Sequence, residues 1–202
     1  MPTHKIKRNY RKAKYVLYKE TLVDFKEHLW AFVGAFVGIG IIAYLQYNMF
    51  PKEDFVFLIG SFGASSVLVY GVIQSPLAQP RNLIGGHVIS AFVGVTAAKL
   101  FPDMIWLGSA VAVASAIVFM QITKTLHPPG GATALIAVTG SPAIVKLGYW
   151  YVITPVLSGA IILLIVALIC NNMTDNRQYP TSRKFTKLKK KIAGKITVNK
   201  IN

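Results

Sequence analysis

The apolar and polar positions alternate in long blocks. Four apolar runs, residues 29–50, 55–74, 104–123 and 149–170, hold about the twenty residues that a helix needs to cross a hydrocarbon layer of about 30 Å. A fifth run, 83–101, is interrupted by Gly85, Gly86 and His87. A sixth, 131–145, is short and carries Thr133, Thr139 and a Gly140-Ser141-Pro142 break, so it reads as a span or a re-entrant hairpin. Backbone groups at that depth have no water to bond, which selects helices. The pattern predicts an all-α polytopic membrane helix bundle of about six spans, with helices broken at two Gly-Gly/Pro-rich segments.

Outside residues 29–171 the period changes. Tyr15, Tyr18, Leu22, Phe25 and Leu29 recur at spacings of three and four, as do Phe185, Leu188, Ile192 and Ile196, with Lys and Arg between them. Each set predicts an amphipathic helix, attracted to anionic lipids at the cytoplasmic surface or packed on its own bundle or on a partner subunit in a homo-oligomer. The chain thus divides into a basic N-terminal segment, 1–28, a membrane domain, 29–171, and a basic tail, 172–202.

Charge fixes the orientation of this arrangement. The 202 residues are 53% hydrophobic and 14% charged, with a net charge of +15. Residues 1–28 hold eight Lys/Arg against three Asp/Glu, residues 172–202 nine against one, and the stretch between only five against three. A basic excess confined to two tails excludes a basic nucleic-acid-binding fold, so no nucleic acid is expected as a partner. The positive-inside rule puts both termini in the cytoplasm of a cell (inner) membrane protein, which requires an even number of crossings; six satisfies it and five does not. Glu20, Asp24 and Glu27 argue against a transit peptide, and no cleavable signal pattern opens the chain. The one cysteine, Cys170, excludes a disulfide framework and a multi-thiolate metal site; in its apolar run it reads as a small packed residue.

Small residues inside the runs, such as the Gly34/Gly38 pair and the alternate alanines from Ala110 to Ala116, predict close helix packing. A shift of 49 residues pairs Ser66 with Ser115, Val69 with Val118, Ile73 with Ile122, Leu77 with Leu126 and Pro80 with Pro129. Each unit reads as an apolar helix, a proline-containing break and a Gly-Gly pair near the start of the next helix. A helix restarting at Gly85-Gly86 or Gly130-Gly131 offers free amides and the positive end of its dipole, the geometry of an anion site. Ser75, Arg81, Asn82 and His87 surround one such end, and Lys124, Thr125, His127 and Thr133 the other, with Pro128 and Pro129 shaping the second break. No Asp or Glu falls within a span, which favours a small inorganic anion over a cation as the permeating species. Each residue also has a structural reading: the histidines as caps or buried hydrogen-bonded groups, Arg81 and Lys124 as anchors at helix ends.

The strings FGASSVLVYG at Phe62 to Gly71, SPLAQPRNLIGGH at Ser75 to His87 and HPPGGATAL at His127 to Leu135, the last preceded by Thr123, Lys124 and Thr125, together resemble the HPP family of integral membrane proteins. The resemblance implies a small polytopic membrane protein, usually described with about four spans, some of whose plant and cyanobacterial members transport nitrite. The function expected is a channel or secondary transporter for a small monovalent anion such as nitrite, without cofactor, metal or catalytic residues. An intramembrane enzyme would need a nucleophile with a base, or a metal cluster, and the core offers two separated histidines, no carboxylate and one thiol. The alternative is a non-transporting scaffold or lipid-binding protein that acts through its basic tails.

Six crossings with both termini inside put the connection at 146–149 outside. A cysteine introduced there is expected to react with an impermeant reagent added externally. Labelling only from the cytoplasmic face overturns the six-crossing arrangement.

Overall fold

The computed structural model describes residues 25–49, 56–174 and 177–181, and the regular elements among them are all helical. Helix α1 (Phe25–Met49) is followed by α2 (Gly60–Ser66), which runs into a π-helical segment (Val67–Gly71). A 3-10 turn (Pro76–Ala78) leads to α3 (Pro80–Leu100), and α4 (Ile105–Ile122), α5 (Pro128–Thr139) and α6 (Pro142–Leu147) follow. A second π-helical segment (Val152–Leu157) continues as α7 (Ser158–Cys170). The amphipathic patterns up to Leu22 and from Phe185 lie outside the described residues.

Among the described residues, four helices are long and apolar enough to cross a membrane: α1, α3, α4 and the continuous stretch Val152–Cys170. Hydropathy together with the charge of the two tails argues for six. The difference lies in two short elements: α2 and its π extension have 7 and 5 residues and α5 has 12, so each runs only about 18 Å at 1.5 Å per residue. Irregular chain flanks both elements. Phe57 N–H donates to Gln46 Oε1 at 2.6 Å near the C-terminal end of α1, whereas Gly71 ends α2's extension at the opposite pole. After α5 and α6, Tyr149 stacks on Phe92 at 5.3 Å and lies 5.6 Å beneath the Lys99 ammonium. That is the far end of α3 from Arg81. The same pole carries the exposed Trp106 and Trp150, aromatic rings of the kind found at membrane interfaces.

The restarts fall on prolines. Pro80 and Pro128 occupy the first helical turn of α3 and α5, where a missing N–H costs nothing. Gly85-Gly86 therefore sits inside α3 rather than at its start, and Gly130-Gly131 inside the first turn of α5. Gly86 and Gly130 serve helix approach, as does Gly94 further along α3. A Cβ on Gly86 would stand 2.5 Å from His127 Cβ and 2.8 Å from Thr125 O, one on Gly130 2.7 Å from Ser90 Oγ and 3.0 Å from Gly86 O, and one on Gly94 2.5 Å from Ala134 O. The Gly34/Gly38 notch in α1 takes a side chain instead of a second helix: the Tyr70 ring fills it and its hydroxyl donates to Leu163 O at 3.0 Å.

A tie at the Gly71 pole satisfies carbonyls released by the first π segment. Arg177 is buried; its Nη2 donates to Tyr70 O at 2.9 Å and Asn171 Oδ1 at 2.7 Å, and its Nη1 pairs with Glu27 Oε2 at 2.8 Å. Asn171 Nδ2 donates to Val69 O at 2.8 Å. The Tyr179 hydroxyl donates to Ala78 O at 2.7 Å. The segment 177–181 thus roofs the chain between α2 and α3, and buried Cys170 packs in the apolar core beneath it.

The end of α4 closes on itself. Lys124 adopts φ 56°, Lys124 N–H bonds Gln121 O at 3.1 Å and Thr125 N–H bonds Met120 O at 2.8 Å, the Schellman closure in which glycine is the usual left-handed residue. Lys124→Gly is expected to relieve about 1 kcal/mol of strain and raise the thermal midpoint in detergent; a lower midpoint would show that the lysine side chain contributes more than the strain costs.

Candidate functional site

The two helix breaks dock on each other, and each bonds the backbone the other leaves open. From the first turn of α3, Arg81 Nη2 donates to Thr123 O and Asn82 Nδ2 to Leu126 O, both at 2.7 Å. In return His127 Nδ1 lies 2.8 Å from Leu77 O in the first break. Gln79 Nε2 adds bonds to Ile73 O at 3.0 Å and Ser75 O at 2.9 Å. Free carbonyls in an apolar medium cost several kcal/mol each, so this exchange is what permits the chain to be irregular there.

Behind this junction a row of polar side chains is shut inside the bundle. Ser65 Oγ of α2 lies 2.7 Å from His87 Nε2 and 2.9 Å from His127 Nε2. His87 Nδ1 lies 2.7 Å from Thr133 Oγ1. Ser65, His87, His127 and Thr133 all have 0% exposure. The imidazoles meet edge to face at 5.0 Å between centroids, and Phe62 packs on His87 at 5.5 Å. The Tyr151 hydroxyl holds Thr133 from behind, donating to its carbonyl at 3.1 Å.

Hydrogen-bond capacity assigns a direction to this row. Leu77 O only accepts, so His127 Nδ1 carries the hydrogen and, in the neutral ring, Nε2 accepts. Ser65 must then give its single hydrogen to His127, so His87 donates from Nε2 to Ser65 Oγ. His87 Nδ1 is left to accept from the Thr133 hydroxyl. The donors run from Thr133 through His87, Ser65 and His127 to Leu77, and the two rings are opposite tautomers.

Of the residues singled out from sequence, His87, His127 and Thr133 meet at this row. Arg81 and Asn82 clamp its outer side, with Arg81 exposed. Lys124 is exposed in its left-handed turn, and Thr125 is buried with its methyl against Gly85 and its hydroxyl 2.8 Å from Thr123 Oγ1. Ser75 caps the 3-10 turn through Leu77 N–H at 3.2 Å. Pro128 is exposed and Pro129 buried, the latter presenting its carbonyl 3.4 Å from Thr133 Oγ1. Gly130 N–H closes a turn on His127 O at 2.8 Å and its Cα faces packed atoms, whereas Gly131 has open space around a Cβ position, its nearest neighbour 4.0 Å away. An apolar cavity of about 490 Å³ between α3 and α4, lined by Val88, Phe92, Val111 and Phe119, includes no member of the polar row and suits hydrocarbon.

The HPP transmembrane-region family matches residues 20–180. The chain belongs to the HPP family. It is also 44% identical over 160 residues to each of two proteins of Dictyostelium discoideum named only as transmembrane proteins, covering 78% of this chain and 51% and 56% of theirs. The chain therefore spans about half the length of these relatives. No solved structure matches it. The histidine that opens this chain's His127-Pro128-Pro129 string is thus a buried, doubly bonded member of the polar row and not an exposed helix cap.

Sequence reasoning missed Ser65, the link between two histidines it had treated as separate. The available signal was the cluster of Ser61, Ser65 and Ser66 within an otherwise apolar run, GSFGASS. Ser61 and Ser66 are buried too, and their hydroxyls have no hydrogen-bond partner. A serine donating to an imidazole is also how a hydrolytic nucleophile begins; Ser65, however, has no exposed surface and its oxygen already accepts from a second ring.

Thr133→Val keeps the shape and removes the donor to His87 Nδ1, leaving a buried acceptor unpaired. A loss of about 1–3 kcal/mol in stability is expected, read as a lower thermal midpoint that Thr133→Ser restores. Equal midpoints for the valine and serine variants would remove this bond from the row.

Proposed function

We propose that this HPP protein is a channel or secondary transporter for a small monovalent anion, with nitrite the first candidate, in a cell membrane that it crosses six times with both termini cytoplasmic. The observation that carries the reading is the convergence of both helix breaks on one buried polar row within an otherwise apolar bundle. Irregular backbone at membrane depth is tolerated where protein or a solute pathway satisfies it, and paired broken helices mark substrate sites in many transporters.

The chemistry of the row favours an anion. α2, α3, α5 and the two breaks contain no carboxylate. The buried hydroxyls of Ser61 and Ser66 are donors without acceptors, on the helix past which a solute entering between α2 and α5 would move. With the row at 0% exposure and the segment 177–181 across one end, this conformation is occluded; passage requires the breaks to part. Arg81 and Lys124, exposed at the same rim, attract anions to the mouth. The traverses of α2 with its preceding chain and of α5 with α6 support six crossings, and anionic lipids suit the basic tails.

Purified protein in liposomes should pass nitrite in preference to chloride when nitrite, nitrate, chloride and formate are compared. Arg81→Gln should slow uptake several-fold at low salt and less at high salt, because rim charges act over a screened distance. Equal rates for wild type and protein-free liposomes would end the transport reading. A salt-independent loss in Arg81→Gln would show instead that the arginine acts by holding Thr123 O.

A further inference from the structure

We propose that Ser65 and the imidazoles of His87 and His127 form a buried site that takes up a single proton, and that this proton accompanies the solute through the transporter. The coupling half rests on the transport reading above; the proton site itself rests on the geometry alone.

Three features carry it. First, the row joins two imidazoles through one hydroxyl at 2.7 and 2.9 Å, and imidazole is the side chain whose ordinary titration falls nearest neutrality. Second, the neutral row has one open lone pair in reserve. An incoming proton bonds to His127 Nε2, which until then accepts from Ser65; the Ser65 hydroxyl hydrogen turns to a carbonyl of the preceding helical turn, and its oxygen then accepts from Nε2–H of both rings. One N–H bond forms, no bond in the protein breaks, and the proton comes from water on one side and returns to water on the other when the row is uncovered there. Leu77 O still accepts from His127 Nδ1 and Thr133 still serves His87, so the hydrogen bonds between residues survive the change. Third, a second proton is refused: it would fall on His87 Nδ1 and set two like charges on rings whose centroids are 5.0 Å apart.

The surroundings offer no competing carrier. Among the described residues, the titratable groups on the elements packed around the row are the buried phenols of Tyr70, Tyr151 and Tyr179, the buried thiol of Cys170, and Arg177 paired with Glu27, with Arg81 and Lys124 exposed at the rim and Lys99 over the Tyr149 ring at the far end of α3. The phenols are occupied as donors to Leu163 O, Thr133 O and Ala78 O.

Nitrogen-15 magnetic resonance on histidine-labelled protein in lipid bilayers, with His4 and His28 replaced by glutamine, reads the site without transport. At neutral pH, His87 is expected to carry its hydrogen on Nε2 and His127 on Nδ1; acidification should bring in one proton equivalent for the pair, well before a second. Matching tautomers, or two rings that titrate together and independently, would overturn the proposal. In liposomes holding a pH-sensitive dye, proton entry should accompany nitrite entry, and Ser65→Ala should abolish the proton signal per nitrite moved; protein-free liposomes correct for diffusion of nitrous acid. Nitrite flux without proton movement would overturn the coupling and leave transport standing. The expected tautomers and single-proton uptake without any nitrite flux would overturn the transport reading and leave the proton site standing.

Discussion

Backbone groups freed at membrane depth must be bonded by protein, and in this chain two sets of them bond each other. Arg81 and Asn82 donate to the Thr123 and Leu126 carbonyls of the second break, and His127 Nδ1 donates to the Leu77 carbonyl of the first. Neither break is tolerable alone, since each would expose unsatisfied carbonyls to an apolar medium. Their docking in turn requires α3 and α5 to approach at backbone distance, which explains why Gly86, Gly94 and Gly130 face atoms that leave no room for a Cβ.

That close approach has a chemical by-product. Once α3 and α5 touch through glycine, His87 and His127 are brought face to edge, and α2 ends close enough for Ser65 to lie between them. The polar row is therefore not an addition to a finished core; it occupies the space that the mutual bonding of the breaks creates. Its saturation with hydrogen bonds keeps it stable in the absence of water, and its donor direction follows from a single carbonyl, Leu77 O, that can only accept.

The tie built by Arg177 and Tyr179 acts on the same junction from outside. Arg177 bonds the π segment that ends α2's extension, and Tyr179 bonds the turn that leads into α3. The chain beyond α7 thereby covers the pole at which the breaks meet. Through these bonds the segment 177–181 is packed as part of the helical body although it follows the last apolar run.

The sequence by itself determined the class of the molecule. Apolar runs of twenty residues admit only helices in a bilayer, and the prolines at 76, 80, 128 and 142 mark where helices cannot continue. The chemistry-bearing strings around His87 and His127 were also legible, because polar residues and Gly-Gly pairs stand out in apolar sequence. Hydropathy did not show which runs form long helices, since it sums apolar residues without registering that α2 with its extension and α5 stop after about 18 Å. It also could not show that Gly86 and Gly130 stand at a helix contact, because a glycine at a helix start and one at a helix contact look alike until the partner helix is known. Only the tertiary structure decided that Ser65 joins the two histidines, that Tyr70 fills the Gly34/Gly38 notch and that Arg177 reaches back to Glu27. These contacts link positions 62, 36, 32 and 150 residues apart, and no local pattern encodes a pairing that exists only after the helices have packed.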